Sequence, residues 1–142
     1  VEGAVEGRVR PAARTDVPGG DFGCALVTTK AFDTADAARD LAASGATVDA
    51  VLSLSNGLGN ETVLTDAVDV PVLAGTCTYG AMTPEPGVVE CTGVGEVVLG
   101  AREGGPSERA DEVGAAFDAA GVETTVAADM PRRLWRKRGR GG

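Results

Sequence analysis

The sequence predicts an α/β fold: an open, mostly parallel sheet with flanking helices and an antiparallel hairpin at its edge. Three observations lead there. Compact apolar runs occupy residues 24–29, 48–54 and 70–74. Segments with helical spacing separate them, at 34–43 and 61–68. Strand, helix, strand, helix, strand at this spacing is the βαβ rhythm of a parallel sheet.

The elements follow in order. Residues 1–10 alternate polar and apolar around Gly3 and Gly7, as a short hairpin or edge strand would. Residues 11–20, with Pro18, Gly19 and Gly20, form a loop. The run at 24–29 has the pattern of a strand buried on both faces. Thr34 offers an N-cap, and Ala37, Ala38, Leu41 and Ala42 follow at helical spacing until Ser44 and Gly45 stop the helix. A second buried strand at 48–54 runs into Ser55-Asn56-Gly57-Leu58-Gly59-Asn60, and a helix at 61–68 leads to a third strand at 70–74. Residues 87–91 and 96–99 read as two strands joined through 92–95, an antiparallel hairpin at the sheet edge. Ser107 caps a helix over 108–120 that Gly121 ends. A last strand covers 122–126, and Pro131 opens a final helix that barely starts before the run Arg138-Gly139-Arg140-Gly141-Gly142.

Composition narrows the function classes. The length of 142 residues suits one core, built from Val, Leu and Ala because aromatics are only 4%. No stretch approaches the roughly 18 apolar residues of a membrane span, and no leader opens the chain, so a cytoplasmic location without membrane attachment is expected. The net charge of −8 hides a split: all 21 acids lie at or before Asp129, while six of the 13 basic residues fall within the last eleven positions. The remaining seven basic residues face all 21 acids, a net −14 for the body of the chain. Such a body does not suit nucleic acid. Only Lys30 and Lys137 are lysines. Dense carboxylates with almost no lysine are the pattern of proteins from salt-loaded cytoplasm, which points to a halophile; a GC-rich genome gives a similar bias. Cys24, Cys77 and Cys91 are dispersed, which suits a reducing compartment. Histidine is absent, which excludes Ser-His-Asp or Cys-His catalysis and a His-ligated metal within these residues.

Four places carry candidate chemistry. Lys30 directly follows a strand, at the carboxyl edge where open α/β sheets bind ligands, and can meet a phosphate or an anionic substrate; a solvated strand-end lysine is the plain alternative. Asn56 sits in a loop with two glycines that opens a helix, where the backbone can approach a ligand and free N–H groups point outward; a tight βα turn has the same spacing. No Gly-Lys-Ser/Thr follows, so this is not a Walker loop. Thr76, Thr78 and Tyr79 follow the third strand at the same edge, as pocket lining or as structural filling. Lys137, in Leu134-Trp135-Arg136-Lys137, reads by itself as one charge of a basic tail.

Together these runs resemble the ketopantoate reductase (2-dehydropantoate 2-reductase) family. Thr29-Lys30-Ala31-Phe32-Asp33-Thr34 looks like the family's strand-end lysine motif, and Asn56-Gly57-Leu58-Gly59-Asn60-Glu61 is similar to its asparagine loop. Gly75-Thr76-Cys77-Thr78-Tyr79-Gly80-Ala81 resembles the following strand and loop. Glu85 to Val89, then Gly93-Val94-Gly95, looks like the edge hairpin, and Leu134-Trp135-Arg136-Lys137 matches the segment that carries the family's lysine. The five runs occur in family order. The resemblance implies a Rossmann-like fold and the NADPH-dependent reduction of 2-dehydropantoate to (R)-pantoate, on the route to pantothenate and coenzyme A. It implies Lys137 as the catalytic proton donor, Lys30, Asn56 and Ala81 as cofactor-binding positions, and Asn56 with Lys137 at the substrate. NADP(H) is the implied cofactor, with NAD(H) the alternative, and no metal is implied.

The match also departs from the family. The family opens with a strand and a Gly-x-Gly-x-x-Gly turn that is not found here. Its lysine-bearing helix runs on as an apolar, asparagine-bearing stretch, and an all-helical domain follows. The expectation is therefore a fragment: residues 1–130 as a partial nucleotide-binding domain and 131–142 as the truncated start of an interdomain helix, without turnover by itself. A sheet lacking its first unit exposes an edge that invites association, which leaves room for a homo-oligomer. A non-catalytic nucleotide-binding module and a non-functional remnant are the alternatives.

Overall fold

A computed structural model describes the backbone of residues 2–3, 7–11, 13, 15–29, 33–54 and 60–139, with side chains for those between 7 and 54 and for 61–135. Eight strands and four helices lie among them: β1 Glu2–Gly3, β2 Gly20–Val27, α1 Thr34–Ala43, β3 Ala46–Ser53, α2 Asn60–Ala67, β4 Val72–Cys77, β5 Gly80–Glu85, β6 Val88–Gly93, β7 Val97–Ala101, α3 Glu108–Ala119, β8 Thr124–Val126 and α4 Met130–Gly139.

The main sheet has the order β2-β3-β4-β7-β8. β2, β3 and β4 are parallel, β7 is antiparallel to β4, and β8 is parallel to β7. The α/β class with a mostly parallel sheet is as the sequence predicts. Alternation along each strand divides its side chains between two faces. On one face Val27, Val51 and Val72 meet Ala38 of α1 and Leu64 of α2, and beside them Ala74 and Val98 meet Met130 of α4. On the other, Ala50, Leu52, Leu73, Val97 and Leu99 meet Ala110 and Val113 of α3. Leu52, Leu64, Leu73, Leu99 and Met130 are fully buried, and each such burial stabilises by roughly 1.5–3 kcal/mol.

Three expectations change. The strand expected at 24–29 begins at Gly20 and pairs only with β3 among the described residues, so it is an edge strand with Phe22 and Leu26 half exposed. A short apolar run does not encode how many neighbours it has. The antiparallel hairpin exists, but β5 and β6 form it, through Pro86 and Gly87 (φ +81°). β6 joins β1 and β5 in a second, three-stranded sheet, and β7 enters the main sheet instead of pairing with β6. Their patterns explain the parting. Val97 to Gly100 are buried throughout, as a central strand requires, whereas β6 alternates. Finally, Thr34 is the first residue of α1 and is buried, and Asp33 occupies the N-cap without a side-chain hydrogen bond.

Other expectations hold. The N-terminal edge strand is β1, parallel to β6. Ser107 caps α3, its Oγ accepting the Ala110 N–H at 3.1 Å. The last helix is longer than expected, reaching Gly139. Its first turn is pinned by Arg133, whose Nε donates to Asp129 Oδ1 at 2.7 Å. That bond and the guanidinium charge hold the Asp129 carboxyl below its ordinary range.

Candidate functional site at the carboxyl edge of the parallel strands

The register aligns the strand ends. Val27 lies opposite Ser53, and Ser53 opposite Ala74, so β2 and β3 stop in one row while β4 continues through Gly75 to Cys77. α1 and α2 then start back from this edge, at Thr34 and Asn60. Helix starts carry unpaired N–H groups and the positive end of the helix dipole, so this edge favours an anion. Its described polar side chains include neutral hydroxyls, with Thr28 and Thr29 exposed beyond β2 and Thr76 and Tyr79 partly buried around the end of β4, and the carboxylates Asp33 and Asp36 at the start of α1 and Glu61 at the start of α2. Hydroxyls that donate to phosphate or ribose oxygens suit a nucleotide there.

Thr78 takes the structural alternative. Its Oγ1 accepts the Glu96 N–H at 2.8 Å, and its own N–H donates to the Glu96 carbonyl at 3.0 Å. This pair ties the β4–β5 connection to the lead-in of β7. Gly95 makes it possible, because a Cβ there would lie 2.5 Å from the Thr78 carbonyl carbon.

Lys30 and Asn56 lie outside the described residues, as does the side chain of Lys137. What is described is their framing. Lys30 and Asn56 each fall three positions past strand ends that share a row, Val27 and Ser53. Ala81 is exposed on β5, opposite Cys91 and four positions past the end of β4. Position 137 lies in α4, on the helical spacing of Met130 and Leu134, which pack on Ala74 and Val98. Among the described residues no group of three His, Cys, Asp or Glu side chains could hold a metal. None of the described helices is long and apolar enough to cross a membrane.

Two features escape a reading of the sequence. Ser53 is fully buried at the end of β3, and its hydroxyl has no hydrogen-bond partner among the described residues. An apolar groove of about 370 Å³ lies between α3 and the β2–β3 ribbon, lined among others by Cys24, Leu26, Ala50, Val113 and Phe117. The spacing of Arg109, Val113 and Ala116 along α3, continued by Ala120 at its C-cap, was the available signal for it.

A family model described as ketopantoate reductase PanE/ApbA matches residues 2–104. The chain belongs to this family. A 2-dehydropantoate 2-reductase of Halobacterium salinarum is 44% identical over 132 residues, which are 90% of this chain and 43% of that protein. Another, from Pyrococcus horikoshii, is 36% identical over 96% of this chain and 45% of its own length. Among solved structures, the probable 2-dehydropantoate 2-reductase panE of Bacillus subtilis superposes with a TM-score of 0.76, at 25% identity, over 96% of this chain and 46% of that one. The chain thus spans less than half the length of the curated relatives it matches. As a member of the family it carries the Rossmann-like α/β arrangement of the solved ketopantoate reductases, and its sheet edge is the place to look for chemistry.

Proposed function

We propose that this chain supplies part of the nicotinamide and substrate site of a cytoplasmic ketopantoate reductase, which reduces 2-dehydropantoate to (R)-pantoate with NADPH. The observation that carries the reading is the common row of strand ends ahead of Lys30 and Asn56, in a chain of this family. NADPH, when bound, supplies the hydride that reduces the ketone carbon. Lys30, Asn56 and Ala81 are the positions that face the cofactor. Lys137 is the acid: its ammonium holds the ketone oxygen, stabilises the alkoxide as charge develops there, and gives it a proton. Asn56 hydrogen-bonds the substrate near the same oxygen. Residues 1–130 form the partial nucleotide-binding domain, and 131–142 begin the helix that carries the acid.

Because the chain covers less than half of its relatives, we expect nucleotide binding to outlast turnover in the isolated protein. Fluorescence titration of the purified chain in high salt, with NADPH and separately with NADH, is the test. Saturable binding without oxidation of the nucleotide in the presence of 2-dehydropantoate is the expected result. Steady reduction of 2-dehydropantoate by the isolated chain would show that it needs no further part. Absence of binding by a cooperatively folded chain would remove the nucleotide site from it. If turnover is seen, Lys137→Ala should lower kcat by about 10²-fold or more while nucleotide binding persists, as for loss of a general acid.

A further inference from the structure

The chain crosses twice between its two sheets, and the crossings lie side by side. The last pair of β4 with β7 is Cys77 opposite Val97, and the first pair of β5 with β6 is Gly80 opposite Gly93. Residues 78–79 make one crossing and 94–96 the other. Thr78 clasps Glu96 across this neck: its N–H donates to the Glu96 carbonyl at 3.0 Å, and its Oγ1 accepts the Glu96 N–H at 2.8 Å. Two glycines let the chain close up here. A Cβ on Gly95 would lie 2.3 Å from Thr78 Oγ1, and one on Gly80 would lie 2.6 Å from Thr92 Oγ1. The register then slips between Gly80 and Ala81, because Ala81 faces Cys91 and leaves Thr92 as an extra residue on β6. Such a bulge bends the strand and re-aims its side chains.

These devices crowd where they add little to the core. Thr78 is exposed, and no residue of either crossing belongs to a core cluster. What they fix is direction. β4 overruns the row of strand ends at Val27, Ser53 and Ala74 by three residues, so the neck stands beside that row as a wall. Tyr79 follows Thr78 directly and is partly buried there, and Ala81 lies just past the bulge. Tyr79 is the single tyrosine of the chain. It brings a flat ring on which a nicotinamide or a base can stack, with a hydroxyl at its tip that can donate. A wall left free to swing would have to be ordered by its ligand, at a cost in affinity.

We propose that Thr78 is a positioning residue of the nucleotide site: its clasp on Glu96 holds Tyr79 in the orientation that meets the nucleotide. The identity of the ligand rests on the nicotinamide reading above, and the clasp rests on the neck alone.

The experiment joins two measurements on the purified chain in high salt. Isotope labelling of the tyrosine ring lets NMR report on Tyr79 alone, and fluorescence titration reports NADPH binding. The wild-type chain should show one set of ring signals, moved by NADPH. Thr78→Val keeps the shape of the side chain and loses the hydroxyl. It should split or broaden the ring signals and raise the NADPH dissociation constant about 10-fold, since binding must now order the neck. Thr78→Ser retains the hydroxyl and should restore both. Ser107→Ala, which also removes one side-chain hydrogen bond but at the start of α3, should change neither. Gly95→Ala disturbs the clasp from the other crossing and should act as Thr78→Val does, and it decides the matter if the valine variant does not fold. Because Thr78 acts through Tyr79, Thr78→Val should add less than about twofold in a Tyr79→Ala background. Ring signals or a dissociation constant that stay at wild-type values in Thr78→Val and Gly95→Ala overturn the proposal, as does full additivity with Tyr79→Ala. In each of these cases the wild-type chain still binds, so the nicotinamide reading survives. A folded wild-type chain that binds no NADPH overturns that reading and takes the proposal with it.

Discussion

At the scale of single residues, Ser53 and Cys24 show how β2 and β3 carry polar atoms into the interior. The hydroxyl of Ser53 is buried without a partner among the described residues, and a group left so costs about 1–3 kcal/mol of desolvation. Ser53→Ala removes the cost and leaves only a small void. It should therefore raise stability by about 1 kcal/mol in urea denaturation; a loss of similar size would mean that the hydroxyl is bonded in solution. Cys24 lies half-buried on the groove, and burial pushes its thiol above the ordinary cysteine range, against a weaker opposing pull from a backbone hydrogen bond of Leu52. The sign follows from linkage. A folded value above the unfolded one means that folding favours the protonated thiol, so this contribution is intact at neutral pH. It is lost as pH rises from the unfolded value, near 8.5, through the folded one. The urea midpoint should fall between about pH 8 and pH 10, and Cys24→Ala should flatten part of that fall. An equal slope in the variant would assign the alkaline loss to other groups.

At the scale of elements, the helix starts divide into two kinds. Ser107 makes the cap that the sequence announces, and Ser107→Ala should cost about 1 kcal/mol by leaving the Ala110 N–H without its acceptor. Asp33 at the start of α1 makes no such side-chain cap, and Thr34 is the first residue of the helix and buried, so the residue that reads as a cap lies inside the helix. Urea unfolding of the Ser107 variant checks the first statement, and a change within error would show the cap to be dispensable. The βαβ rhythm was legible because its signals are local: apolar runs, small stops at Ser44 and Gly45, and a cap before α3. Pairing was less so. Residues 92–95 are short enough for a hairpin, yet β6 and β7 part, because a fully apolar β7 gains more between β4 and β8 than beside an alternating strand. The edge position of β2 is likewise a property of what lies next to it. The candidate site was legible as an ordered set of motifs at strand ends, and the row shared by Val27 and Ser53 supplies the alignment that motif order alone does not.

At the scale of the whole molecule, charge decides how the chain responds to its solvent. The ion pairs found among the described residues join near neighbours on the surface: Arg39 with Asp36, Arg102 with Glu103, Arg109 with Glu112, and Arg133 with Asp129. Exposed pairs of this kind are worth about 0–1 kcal/mol each, and salt weakens them. Against them stand 21 carboxylates with 13 basic residues, six of which are confined to the last eleven positions. Over the body of the chain carboxylates outnumber basic residues three to one, and their repulsion acts on the compact state more than on the expanded one. Salt shortens the screening length from about 10 Å at 0.1 M to about 3 Å at 1 M, which removes repulsion between spaced carboxylates more completely than attraction within touching pairs. Repulsion outweighs attraction in this chain, so screening should stabilise it. The urea midpoint should rise between about 0.1 M and 2 M KCl, by a stability increment on the order of 1 kcal/mol, with most of the gain below 1 M where the screening length changes fastest. A continued linear rise to the highest salt would point to salt exclusion from apolar surface instead, and a midpoint that falls with KCl would mean that the local pairs outweigh the carboxylate excess. Replacing exposed Asp111 and Asp118 of α3 by Asn separates these: the double variant should be more stable in dilute salt and gain less from added KCl, because part of the repulsion has already gone.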